Sequence, residues 1–164
     1  MNTADRSIAL MDTALRRRFH FIECGPDPSK LDDVAGVHLN SFLARINERI
    51  AYLYDQDHTI GHAYFMVPEL DYQGLVSIMK NKVIPLLQEY FYEDWEKIEL
   101  ILGGAGKPGD NNYFLTKVER EAYQIFGNHP VIDRLSTQVK YTIVQNPSLE
   151  AFSRVYLNTT GASV

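Results

Sequence analysis

The sequence predicts a mainly α fold with minor β. Three observations predict it. A long apolar stripe recurs at helical spacing from Leu39 to Leu53, further helical segments run on to Leu102, and strand-like runs are few and short. The first of those runs, His20-Phe21-Ile22-Glu23-Cys24, has no partner strand nearby in sequence. The chain therefore opens as the tail of a larger α/β unit whose earlier strands are absent.

Taken in order, Ile8, Met11 and Leu15 repeat at helical spacing, with Leu10 and Ala14 widening the stripe and Asp5 or Ser7 placed to cap it. Arg16, Arg17 and Arg18 fall in the last turn of this helix, where cations suit the negative end of the dipole. Gly25-Pro26-Asp27-Pro28 stops the following strand. From residue 29 the period is helical, and Leu39, Phe42, Leu43, Ile46, Ile50 and Leu53 share one face, with Arg45, Asn47, Glu48 and Arg49 largely elsewhere. A polar connector, Asp55 to Gly61, leads into the compact His62-Ala63-Tyr64-Phe65-Met66. Leu75 to Lys82 and Ile84 to Tyr92 read as two helices, with Pro85 in the first turn of the second or at a kink. Asp94 to Leu102 is a short acidic helix. Four glycines in Gly103 to Asp110 mark a flexible linker. Beyond it come a strand at Tyr113 to Leu115, a helix from Val118 to Phe126, a strand from Val139 to Val144, and a last helix opened by Asn146-Pro147.

Composition narrows the function classes. At 164 residues and 45% apolar content the chain can bury a core, which excludes disorder. One cysteine, Cys24, excludes a disulfide scaffold within the chain and reads as a small apolar filler. Sixteen Lys and Arg against 21 Asp and Glu give a net charge of −5, so DNA binding would need a local basic patch. No apolar run approaches the roughly 20 residues that span a bilayer, and Met1 to Ser7 do not start a secretory signal. The expected setting is cytoplasmic, with no membrane partner.

Candidate chemistry is sparse. Gly103-Gly104-Ala105-Gly106-Lys107 has the wrong spacing for a phosphate-cradling loop, and Pro108 stands where that loop needs a hydroxyl. His58 and His62 are four apart but no acidic partner completes a metal motif, so no metal site is expected. Glu93, Asp94, Glu96 and Glu99 read as a solvated helical face. Arg16, Arg17 and Arg18 offer planar guanidinium donors suited to phosphate oxygens, or else form a solvated basic turn.

Met1-Asn2-Thr3-Ala4-Asp5-Arg6-Ser7, followed by Asp12-Thr13-Ala14-Leu15-Arg16-Arg17-Arg18-Phe19, resembles the AAA+ motor subunit of McrBC-type restriction systems, the McrB family. The resemblance continues at Ile60-Gly61-His62-Ala63-Tyr64-Phe65 and at Ile84 to Phe91, and so covers roughly residues 1–92. It implies the end of an AAA+ α/β core over residues 1–27, a helical lid over 28–102, and a small α+β C-terminal extension over 103–164. By that resemblance Asn2 is a sensor that orients the attacking water, since an amide both donates and accepts. Arg17 or Arg18 is the arginine finger offered to a neighbouring subunit, with Arg16 beside it. Asp5 and Arg6 act at or near the subunit interface, and Gly61 and His62 lie near the nucleotide base or phosphates.

The Walker A loop and the acidic Walker B strand of that family do not occur in these residues. The expectation is therefore a C-terminal part that binds no cofactor and turns over no nucleotide alone, within a parent that uses GTP or ATP with Mg²⁺. The implied partners are the upstream AAA+ core of the same protein, further copies in a ring, and a McrC-like endonuclease, with DNA reached only through other domains. The alternative reading is a non-catalytic helical interaction module presenting aromatics such as Tyr52, Tyr54, Tyr64, Phe65, Tyr90, Phe91, Tyr92 and Trp95.

Overall fold

A computed structural model describes residue 18, residues 25–128 and residues 137–157. The expected N-terminal helix, apart from Arg18, and the strand at 20–24 with Cys24 lie outside the described residues. The chain enters through a 3-10 turn, Pro28–Lys30, whose cap is Asp27: its carboxylate accepts from the Ser29 N–H at 3.1 Å. Helical structure does not begin at residue 29. Ala35 and Gly36 both adopt positive φ (52° and 86°) in a tight turn closed by reciprocal Val34 and Val37 hydrogen bonds, and two left-handed residues cannot extend a helix.

Helix α1, Leu39–Leu53, carries the stripe seen in the sequence. Leu39, Phe42, Leu43, Ile46 and Ile50 are all buried, each such side chain stabilising the fold by about 1.5–3 kcal/mol. After a loop, residues 62–65 form a second 3-10 turn.

The next helical stretch is one rod rather than two helices. Helix α2, Tyr72–Ile78, starts at Asp71, which accepts from the Gly74 N–H at 2.8 Å, and passes through a single wide π turn, Met79–Val83, into α3, Ile84–Tyr90. In the wide turn the Ile84 N–H reaches back to the Met79 carbonyl, five residues earlier. Pro85 follows at once, in the first turn of α3, as its missing N–H requires. The buried positions Leu75, Met79, Val83, Leu87 and Phe91 recur every fourth residue. On a regular α-helix such a row drifts by about 40° per step; the wide turn takes up part of that drift and keeps the row facing the core.

Two left-handed residues, Tyr92 and Glu93, turn the chain into α4, Trp95–Ile101, capped by Asp94. The glycine segment that follows is a packed terminus rather than a flexible linker. Gly103 is left-handed (φ 86°), and the Gly104 N–H reaches back to the Glu99 carbonyl at 2.9 Å, a glycine-type helix stop. Ala105–Gly106 then form β1, parallel to β2, Leu115–Arg120. Helix α5, Ala122–Phe126, is shorter than the sequence period implies because β2 takes residues through Arg120. Strand β3, Gln138–Ile143, pairs antiparallel with β2 from Leu115 opposite Ile143 to Arg120 opposite Gln138, so the sheet order is β1-β2-β3. Helix α6, Leu149–Tyr156, closes the described chain. Pro147 precedes it by two residues, and its carbonyl accepts the Tyr72 hydroxyl.

One core runs through all of this. Phe42 of α1 meets Phe65, Phe114 and Phe152 at centroid distances of 6.3, 6.2 and 5.4 Å, and Phe114 meets Phe152 at 4.8 Å. Packing therefore continues without a seam from the helices before residue 102 into the sheet and α6 beyond it.

Candidate functional site

Asn2, Asp5, Arg6, Arg16 and Arg17 lie outside the described residues. Arg18 is exposed in a turn, where its guanidinium is free of burial. Gly61 and His62 are described, and they occupy a defined place.

Two sets of hydrogen bonds hold that place. Behind it, Asn47 on α1 clasps the backbone of Ile60: the Asn47 amide Nδ2 donates to the Ile60 carbonyl at 2.9 Å, and its Oδ1 accepts from the Ile60 N–H at 2.7 Å. The Ile60 side chain is buried, which pins the same residue from its other end. Gly61 then continues in extended conformation (φ −68°, ψ 139°), and a Cβ there would meet nothing within 4 Å. Open space thus lies beside His62. In front, the Asp27 backbone N–H donates to His62 Nδ1 at 3.1 Å. An imidazole nitrogen that accepts carries no proton, so in the neutral ring the hydrogen sits on Nε2 and that N–H is the group His62 offers outward. The ring is half-buried.

Asp27 serves both sides of this junction. Its carboxylate holds Ser29, and the Ser29 hydroxyl at 2.6 Å is the main reason its carboxyl lies below the usual aspartate range. The residues leading out of the N-terminal segment are thereby attached to the 3-10 turn that bears His62.

His58 does not join His62 in a ligand set. Its Nδ1 faces Asp55 Oδ1 at 2.6 Å, and its ring is boxed edge-on by Tyr54 and Tyr90 at 4.1 and 4.8 Å. Burial raises the Asp55 carboxyl, but the hydrogen bonds from the His58 ring and backbone outweigh it and bring the group below its ordinary value. Among the described residues no group of three His, Cys, Asp or Glu is arranged to hold a metal ion.

The acidic helix is not simply a solvated face. Glu99 receives Lys117 Nζ at 2.8 and 3.0 Å and the Tyr141 hydroxyl at 2.7 Å, tying α4 to both long strands. Tyr141 in turn stacks on Trp95, 10° from parallel at 5.8 Å. Nor does the glycine segment cradle an anion: Tyr113 and Asp110 crowd Gly106, and a Cβ there would stand 2.7 Å from the Tyr113 ring. Of the sequence's aromatics, Phe65 and Phe91 are buried and Tyr64, Tyr90 and Trp95 pack on the core, whereas Tyr52 and Tyr92 are 89% and 86% exposed.

Asn47 and Asp27 were not visible as site residues in the sequence. Asn47 looks like any polar residue flanking an apolar stripe, and Asp27 like part of a Gly-Pro stop. Only the fold brings them to His62.

A family model described as McrB, alpha-helical lid domain, matches residues 38–99, a span that includes Asn47, Gly61 and His62. The chain is also similar to the Type IV methyl-directed restriction enzyme EcoKMcrB subunit of Escherichia coli (strain K12), with 34% identity over 115 residues. That match covers 57% of this chain and 25% of the relative, so the chain spans about a quarter of the relative's length. No helix of the described residues is long and apolar enough to cross a membrane.

Proposed function

We propose that this chain, which is McrB-like and carries a McrB-type helical lid over residues 38–99, is the C-terminal part of an AAA+ motor subunit that hydrolyses GTP or ATP in a restriction system. The observation that carries the reading is His62 within the lid: its Nδ1 is occupied by the Asp27 N–H, and its Nε2–H is left to donate beside the open space at Gly61. A fixed neutral donor of this kind suits a phosphate oxygen or a base carbonyl.

In this reading Asn2 orients the attacking water, and Arg17 or Arg18, with Arg16 adjacent, reaches the nucleotide of the next copy in a ring. The exposure of Arg18 suits that reach. A guanidinium supplied in trans stabilises charge that develops during phosphoryl transfer. Asp5 and Arg6 stand at the interface between copies. Mg²⁺ and the phosphate cradle belong to Walker segments that these 164 residues do not contain, so the chain alone should turn over no nucleotide. A McrC-like endonuclease would be the partner that the motor drives.

The test joins this chain to an upstream Walker-bearing core and measures GTP and ATP hydrolysis against protein concentration. Activity should appear only in the joined protein and rise with self-association. Asn2→Ala should abolish it, and loss of the finger arginine should lower kcat by about 10³-fold or more. Full activity in the Asn2→Ala protein and in every arginine variant would overturn the assignment.

A further inference from the structure

His62 can act on a ligand only if its Nε2–H points one way, and its own 3-10 turn is too short to ensure that. The turn has four residues, no side-chain cap, and follows a glycine that leaves the backbone free to swing. Something else must hold the residue just before that glycine. Asn47 does so with both halves of its amide, donating to the Ile60 carbonyl and accepting from the Ile60 N–H in the manner of a neighbouring strand. It lies on a helix anchored in the core on both flanks by Ile46 and Ile50, so the clasp is referred to the most rigid part of the molecule.

We propose that Asn47 is the positioning residue of the lid site: it touches no nucleotide, but by fixing Ile60 it sets the direction of His62, and with it the Asp27 attachment on the other ring nitrogen. The inference rests on the reading of His62 as a nucleotide-facing donor. Geometry explains why an asparagine is suited here. Aspartate keeps the acceptor for the Ile60 N–H but has no donor for the Ile60 carbonyl, and alanine has neither. A leucine would fill the volume and leave both backbone groups without partners.

Two measurements separate this inference from the reading beneath it. On the chain itself, ¹⁵N spectra of the His62 ring should report an unprotonated, hydrogen-bonded Nδ1, and hydrogen exchange should show a protected Ile60 amide. Asn47→Ala should remove that protection and broaden or shift the His62 ring signals, while core amides on α1 keep theirs. Asn47→Asp, the second variant should alanine fail to fold, should keep Ile60 N–H protection and still move the ring signals. Unmoved His62 signals in a folded variant would overturn the positioning role.

In the protein joined to its Walker-bearing core, His62→Ala should weaken GTP or ATP binding about fivefold, the loss of one hydrogen bond. Asn47→Ala should match it, and the double variant should be no weaker than either single one. Additive losses would make Asn47 a stabiliser of the fold alone. No loss in His62→Ala, with the ring signals still dependent on Asn47, would instead refute the nucleotide-facing reading and leave the mechanical link between the two residues intact.

Discussion

Phe42 of the first helix and Phe152 of the last pack with ring centroids 5.4 Å apart, and Phe114 wedges against both. The helices matched by the lid model and the sheet segment beyond them therefore share one hydrophobic centre. Phe152→Ala should cost about 3–5 kcal/mol. Thermal unfolding followed at Trp95 and by far-ultraviolet circular dichroism should show a single coincident transition in both proteins. Two separated transitions would mean that the sheet and α6 fold apart from the helices.

The glycines of residues 103–109 should respond unequally to alanine. Gly109 has φ 87° and nothing near a new Cβ, so Gly109→Ala should cost about 1 kcal/mol from its backbone conformation alone. Gly103 has φ 86° and would also bring a Cβ within 3.0 Å of the Arg154 carbonyl oxygen. Gly103→Ala should cost about 2–3 kcal/mol. Urea midpoints of the two variants test the order. Equal shifts would show that the segment is as loose as its composition suggests.

Alkaline stability should depend on Tyr141. Burial, then its hydrogen bond to Glu99, raises the Tyr141 phenol well above its ordinary value, and burial raises Tyr72 and Tyr90 as well. The unfolded tyrosines ionise first, near pH 10, so the stability these groups contribute is complete below that pH and is lost as pH rises towards the folded values. Tm should fall above pH 10, and Tyr141→Phe should flatten that fall. At pH 7 the same substitution should cost about 1 kcal/mol for the lost hydrogen bond.

Acid should act through aspartates. The Lys97 side chain is the main reason Asp94 lies below its usual range, as Ser29 is for Asp27, and the His58 contacts outweigh burial at Asp55. Each contribution is present above about pH 4 and fades as pH falls through the lowered folded value. These carboxylates are largely solvent-exposed, so the effect on Tm should be small. Asp55→Asn should remove part of the acid slope and loosen the His58 ring, read from its NMR line widths.

How far the sequence speaks depends on what kind of signal each element leaves. Helix α1 was legible because its apolar residues repeat on one face, and α4 because Asp94 marks its start. The wide turn left no such mark: Pro85 looks like a break, and a row spaced by four looks like two separate helices. The glycines after Leu102 were read by composition, whereas their conformation depends on Arg154 and Tyr113, distant in sequence. His62 stood out through its resemblance to a family motif. Its orientation could not, because Asn47 and Asp27 reach it only through backbone atoms, and backbone partners have no residue-type signature.

The π turn at Met79–Val83 also makes the rod intolerant of length changes. Each residue added to or removed from a helix rotates everything downstream by about 100°. Deleting one residue from this turn would give an ordinary helix with better local hydrogen bonding, yet it would swing Leu87 and Phe91 out of the core and bring Gln88 and Tyr92 towards it. Relatives should therefore vary the identity of residues 79–83 freely on the outer side while keeping their number constant, and an insertion or deletion there should be accompanied by a compensating one before Trp95.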